Sequence, residues 1–196
     1  MSDIEQVLKS ELDGVFLDKG YSFDDFCYFL NKENSLTYCV SFDFEGGSYR
    51  VFVGVARRTK DEDLEKAPEG AYLHRFFTGG SLSTSPKDFS FKSEKDLRSH
   101  LVRLKNNLQN LIFPFLDSVT DLEEYADRLS DTDCLVSYEI YQELGLKDKA
   151  AQKGQVVLDQ YKNMRDIEKI DVKIEEIEDF LAAEDKTLNK SRKADA

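Results

Sequence analysis

The chain has 196 residues and carries 27 Lys and Arg against 39 Asp and Glu, a formal net charge of −12 at pH 7. That balance argues against a nucleic-acid backbone or an anionic membrane surface as partner, because both are held by clustered Lys and Arg. The three cysteines, Cys27, Cys39 and Cys134, form no CxxC or Cys/His cluster, so neither a disulfide framework nor a zinc site is indicated.

The opening MSDIEQVLKS lacks a basic segment followed by an apolar one, so no secretory signal is read there. No run approaches the roughly 18 apolar residues of a membrane span. A reduced, cytoplasmic setting is the expectation, with Cys27 and Cys39 as free, buried thiols.

Ser2 and Glu5 make a capping box for a predicted helix over 2–18, in which Ile4, Val7, Leu8, Leu12 and Val15 recur at helical spacing. Gly20 closes it. YSFDDFCYFLN (21–31) reads as a first strand with irregular alternation. Strands over 35–44 and 49–57 then flank an EGGS turn, whose glycines tolerate the positive φ of a tight hairpin. Leu36, Tyr38, Val40, Phe42, Tyr49, Val51, Val53 and Val55 should face the core. Thr37, Cys39, Ser41, Asp43, Arg50, Phe52, Gly54 and Ala56 should face outward, with Asp43 paired to Arg50 across the strands. Phe52 on that outer face implies that something covers it. By this assignment Val53→Asp unfolds the domain and Thr37→Asp costs little.

Residues 58–92 lack periodicity. RRTKDEDLEKAPEG reads as an exposed loop, AYLHRFF as a short strand, TGGSLSTSP as a turn, and KDFSFK as a candidate last strand. A loop region this long is where function is often carried. Ser93, with Asp96 three residues on, caps a long amphipathic helix through Leu97, Leu101, Leu104, Leu108, Leu111 and Phe115, whose end Pro114 disturbs. Further helices begin at Thr120 and follow in SDTDCLVSYEIYQELG, closed by Gly145, in LKDKAAQKGQVVLDQYKNM and in RDIEKIDVKIEEIEDFLAA.

No strand–helix–strand crossover pattern occurs. The predicted fold is therefore α+β: an antiparallel sheet of about four or five strands packed on one side by helices, at 1–116. A helical extension follows at 117–183, and 184–196 reads as a disordered tail. Residues 117–196 hold −9 of the net −12.

Little in the chain points to catalysis. His74 and His100 are the only histidines; His100 reads as a satisfied residue on a helix flank. GGSLSTS lacks the lysine of a phosphate-binding loop, DEDLE lacks the glycine and terminal Glu of a calcium loop, and GxSxG, HExxH and GxGxxG are absent. No catalytic residue, metal ligand or cofactor is assigned. Ile167, Ile170, Ile174, Ile177 and Leu181 recur at steps of three and four amid acids. They make either a stripe laid on their own domain or a seam for another chain.

An N-terminal helix running into LDKGYSFDDFCYFLN, a hairpin ending in VFVGVARR and the helix NLQNLIFPFLD together resemble, over 1–116, a group of uncharacterised bacterial α+β domains. Some relatives of that group sit among immunity proteins of bacterial toxin systems. The resemblance implies a small, acidic, non-enzymatic protein that binds and blocks a partner. The expected function is a cytoplasmic protein-binding module, an immunity-like inhibitor of a toxin or other basic partner. The candidate contact residues are Asp61, Glu62, Asp63, His74, Arg75, Ile170, Ile174, Ile177, Glu175 and Glu178. Self-association through the C-terminal helix belongs to the same reading, and neither nucleic acid nor membrane does. The alternatives are a small enzyme with its site near His74 in the 58–92 region, or an oligomerising structural protein.

Overall fold

The computed structural model describes residues 4–33, 35–58, 63–68, 71–76, 90–129, 134–161 and 174–184, with 73–76 and 161 described at the backbone alone. The chain divides into two compact units, Met1–Asp121 and Leu122–Ala196.

The first unit opens with α1 (Ile4–Leu17), which buries Val7, Leu8, Leu12 and Phe16 along one stripe. Its end is sealed by a left-handed residue. Gly20 has φ +82°, the Gly20 N–H donates to Leu17 O at 2.9 Å, and the Tyr21 N–H donates to Phe16 O at 3.1 Å.

The stretch 21–31 is not one strand but a hairpin of β1 (Ser22–Asp24) and β2 (Cys27–Asn31), in which Asp24 pairs with Cys27. The two residues between them, Asp25 and Phe26, have φ 43° and 60°. Positive φ at both central positions is the turn that matches strand twist, and it is usually announced by Asn-Gly or Asp-Gly. Here Asp-Phe takes it without a glycine, so the break is hidden in the sequence. Neighbouring contacts help hold Phe26 there: its ring lies 5.5 Å from that of Phe44, and its carbonyl accepts the Phe42 N–H at 2.9 Å.

β3 (Leu36–Glu45), β4 (Ser48–Arg57) and β5 (Tyr72–Phe76) complete a sheet ordered β1-β2-β3-β4-β5, antiparallel at every pair. The fold is α+β. Val40 pairs with Val53, both buried, and Asp43 pairs with Arg50, whose guanidinium reaches the carboxylate at 2.6 Å. From the candidate last strand, the described residues contribute an isolated bridge between Ser90 and Ser48.

Tyr28, Tyr38, Val40 and Val53 lie on the sheet face turned to the helices, where Phe16 stacks on Tyr28 at 3.9 Å and meets Phe113 edge-on at 5.4 Å. α2 (Glu94–Asn107) starts at Ser93, whose hydroxyl accepts the Asp96 N–H at 3.2 Å. It buries Leu97, Leu101 and Leu104, then widens into a π-helical stretch over Leu108–Ile112 before α3 (Phe113–Asp117). The wide turn precedes Pro114, which has no N–H to give to the helix ladder. It also shifts the apolar stripe by one residue: Ile112 and Leu116 are buried, whereas Leu111, expected in the stripe, is 44% exposed.

The second unit holds α4 (Leu122–Arg128), α5 (Cys134–Glu143), α6 (Lys147–Tyr161) and a helix at 174–184, here α7. Gly145, at φ +69°, ends α5 as expected, with the Leu146 N–H donating to Tyr141 O at 2.9 Å. Gly154 on α6 is where α7 comes close. A Cβ there would lie 3.1 Å from Ile177 Cγ2 and 3.2 Å from the Tyr138 ring. Ile177 is fully buried by this packing, and Phe180 meets Tyr138 edge-on at 5.8 Å. Lys149 ties α6 to α4 through Glu123 at 2.9 Å and Asp127 at 2.8 Å. Among the described residues no helix is long and apolar enough to cross a membrane.

Candidate functional site

Period two carries Phe52, Gly54 and Ala56 to the sheet face away from the helices, and it carries the next even residue, Arg58, there too. The expectation that this face is covered holds. Cys27, Phe29 and Cys39 form a small core on it, with Ala67 and Ala71 packed against them. Thr37, read as outward and tolerant, is instead fully buried.

Beneath that cover sits Arg58, 7% exposed. Its Nε–H donates to Thr37 Oγ1 at 3.0 Å, one Nη donates to Asp63 O at 2.5 Å and the other to Lys66 O. Its guanidinium carbon stands 5.3 Å from the centre of the Phe29 ring. The Thr37 hydroxyl in turn donates to Asn31 Oδ1 at 2.7 Å, and the Asn31 amide donates to Leu64 O at 3.1 Å. The 63–67 segment is thus held by Asn31 of β2 and by Arg58 just past β4, with Asp24 accepting the Ala67 N–H at 3.0 Å. Beside this network opens a pocket of about 300 Å³, lined among others by Asn31, Lys32, Glu33, Ser35, Thr37 and Arg58. Ser35 has φ 65°, a strained conformation for a residue with a side chain, and its carbonyl accepts the Arg58 N–H at 3.0 Å.

A second pocket of similar volume lies between the starts of α1 and α2, walled by Ile4, Val7, Leu97 and Phe91. No histidine or cysteine lines either pocket among the described residues. The neighbouring Cys27 thiol, together with burial, pushes the Cys39 thiol well above the usual range, which keeps it in the protonated form. His100, expected to be satisfied, has a buried Nδ1 without a hydrogen-bond partner among the described residues. Burial and the neighbouring Arg103 lower its pKa. Among the described residues no group of three or more His, Cys, Asp or Glu could hold a metal ion.

The sequence-derived contact residues are scattered. Asp63 is exposed and spends its carbonyl on Arg58; Asp61 and Glu62 lie outside the described residues, as does Ile170. The backbones of His74 and Arg75 pair with Val53 and Phe52 in the sheet, and their side chains are not among the described groups. On α7 the fully buried Ile177 is flanked by half-buried Ile174, while Glu175, Glu176, Glu178 and Asp179 are exposed. Sequence reasoning missed Arg58, Thr37 and Asn31. The available signal was parity: a cation falls on a face otherwise built from Gly54 and Ala56.

In comparisons with known proteins the chain matches no family model, no curated protein and no solved structure.

Proposed function

We propose that the chain is a non-enzymatic protein-binding module that holds a basic partner on the acidic outer side of α7, in the manner of an immunity-like inhibitor. The observation that carries this reading is how α7 divides its residues. Ile177 is spent on α6 and Tyr138 of its own unit, while Glu175, Glu176, Glu178 and Asp179 stand in solvent. What such a helix offers a partner is charge, which speeds encounter and selects the sign of the partner. The net charge of −12 and the layout of the first unit support the same reading. Three free, buried cysteines support a reducing, cytoplasmic setting.

The test is retention from native cell extract on the immobilised full chain, run beside a variant with Glu175→Gln, Glu176→Gln, Glu178→Gln and Asp179→Asn. A basic protein kept by the first and lost by the second is the expected result. Identical retention by both removes α7 from the function.

A further inference from the structure

Cys27 and Cys39 share a small buried core with Phe29 on the sheet face away from the helices, and Ala67 of the 63–67 strap packs against it. Cys27 pairs with Ser41 and Cys39 with Phe29, so the two thiols are diagonal neighbours on adjacent strands. A cation stands beside them: the charge of Arg58 acts on the Cys39 sulfur in the sense that favours the thiolate. In the closed chain that influence loses, because the Cys27 thiol and burial together keep Cys39 protonated. The strap therefore decides whether this pair of sulfurs can react.

What holds the strap down is polar and thin. Asp63, Leu64, Glu65 and Lys66 are exposed, Leu64 by 57%, and Ala67 is half-buried, so closure buries little apolar surface. Among the described residues its latches are Arg58 on the carbonyls of Asp63 and Lys66, Asn31 on Leu64 O, and Asp24 on the Ala67 N–H. Two of these come from a guanidinium that closure takes out of water and that meets only neutral acceptors among the described residues. Burying a charge without an opposite charge is costly, and the Phe29 ring at 5.3 Å offsets only part of that. Opening returns Arg58 to water, so closure is worth far less than the pairing of β3 and β4 beneath it. Segments held in this way open on their own, at the low end of a chain's range of local stabilities.

We propose that the strap gates a thiol-modification site: it opens while the sheet stays folded, Cys27 or Cys39 exchanges with a small disulfide, and the adduct keeps the strap from closing. In the open chain Cys39 meets water, where an ordinary thiol is a few per cent thiolate near neutral pH. The cysteine sulfur attacks one sulfur of the disulfide, and the new S–S bond forms as the old one breaks. The leaving thiolate takes up the proton the cysteine gave up. The cysteine sulfur is oxidised and the leaving sulfur reduced, so the disulfide is the only oxidant required. Diagonal neighbours stand about 7–8 Å apart at Cα, more than a disulfide spans without backbone movement, which directs each thiol to an adduct rather than to its neighbour. An adduct on either sulfur claims the space where Ala67 packs. The site lies on the first unit and stands whether or not α7 binds a protein.

The experiment treats the folded full chain with dithiodipyridine, an uncharged disulfide, locates adducts by peptide mass spectrometry, and follows amide hydrogen exchange by NMR in parallel. Labelling rates of Cys27 and Cys39, referred to those of the urea-unfolded chain, give an opening equilibrium. It should agree with that of the Ala67 amide and exceed that of the Val40 and Val53 amides by at least about tenfold. Asp24→Ala, which removes the acceptor of the Ala67 N–H, should speed labelling about threefold to tenfold and leave the Val40 and Val53 amides unchanged. Should that variant lose the sheet, Asn31→Ala, which frees Leu64 O, takes its place with the same expectation. In the labelled chain the Ala67 amide should exchange as if unprotected, and dithiothreitol should restore its protection. Four results overturn the proposal: labelling that only keeps pace with the Val40 and Val53 amides, a rate unmoved by the variant, a Cys27–Cys39 bond in place of an adduct, or an Ala67 amide still protected after labelling.

Discussion

Thr37 links two neighbours through one hydroxyl, accepting from Arg58 and donating to Asn31, with no exposure to water. Thr37→Val keeps the shape and leaves the Arg58 Nε–H and the Asn31 carbonyl oxygen short of a partner. The cost should be about 1–3 kcal/mol, read from the shift in urea midpoint at unchanged slope. Thr37→Ser keeps the hydroxyl and should cost under about 1.5 kcal/mol. Glu11 is the corresponding residue between α1 and α2. The hydrogen bond from Arg98, joined by Lys105 and opposed by partial burial, holds its carboxyl below the usual glutamate range. A carboxyl with a lower pKa in the folded chain than in the unfolded one binds fewer protons when folded. Its contribution is complete at neutral pH and is lost as pH falls from about 5 through the depressed value. Glu11→Gln should therefore flatten the fall in stability between about pH 6 and 3. At pH 7 it should remove less than about 1 kcal/mol, because its partners are partly exposed and solvent screens the pair. A fall that stays as steep in the variant would assign the acid sensitivity to other carboxylates.

At the scale of elements, the hairpin of β3 and β4 was the most legible part of the chain, since both strands keep period two and the turn has two glycines. Its core face, its Asp43–Arg50 pair and the Ser93 cap all follow from local rules. The β1–β2 hairpin was not legible, because Asp25 and Phe26 adopt positive φ without the usual glycine and are held there by tertiary contacts. Nor was the π-helical stretch before Pro114, which re-phases the stripe through backbone geometry that side-chain periodicity does not encode. The fate of Thr37 depended on a cover contributed from 63–67 and Ala71, a long-range event. Two substitutions test the packing of these elements. Val53→Asp puts an unpaired charge into the core and should abolish the cooperative unfolding transition. Gly154→Leu forces a side chain where a single carbon already meets Ile177 at 3.1 Å. It should destabilise the second unit by about 1–3 kcal/mol and increase protease cutting beside α7. A neutral result for Gly154→Leu would mean that α7 does not sit on α6.

For the whole molecule, the two units divide the labour: the first encloses a buried cation and a polar pocket, and the second presents exposed carboxylates on α7. The excess negative charge was plain in the sequence, and so was the apolar repeat of α7. Which way that repeat faced was not plain, because five positions serve a domain stripe and an intermolecular seam equally well. Among the described residues, Ile177 against Gly154 faces inward. The direct measurement of the resulting claim is the affinity of the retained basic partner for the full chain at a series of salt concentrations, beside the variant neutralised at Glu175, Glu176, Glu178 and Asp179. The account predicts that affinity for the native chain falls steeply as salt rises, and that the variant binds at least about tenfold more weakly at low salt with a flatter dependence. Equal affinity and equal salt dependence for the two proteins would contradict it.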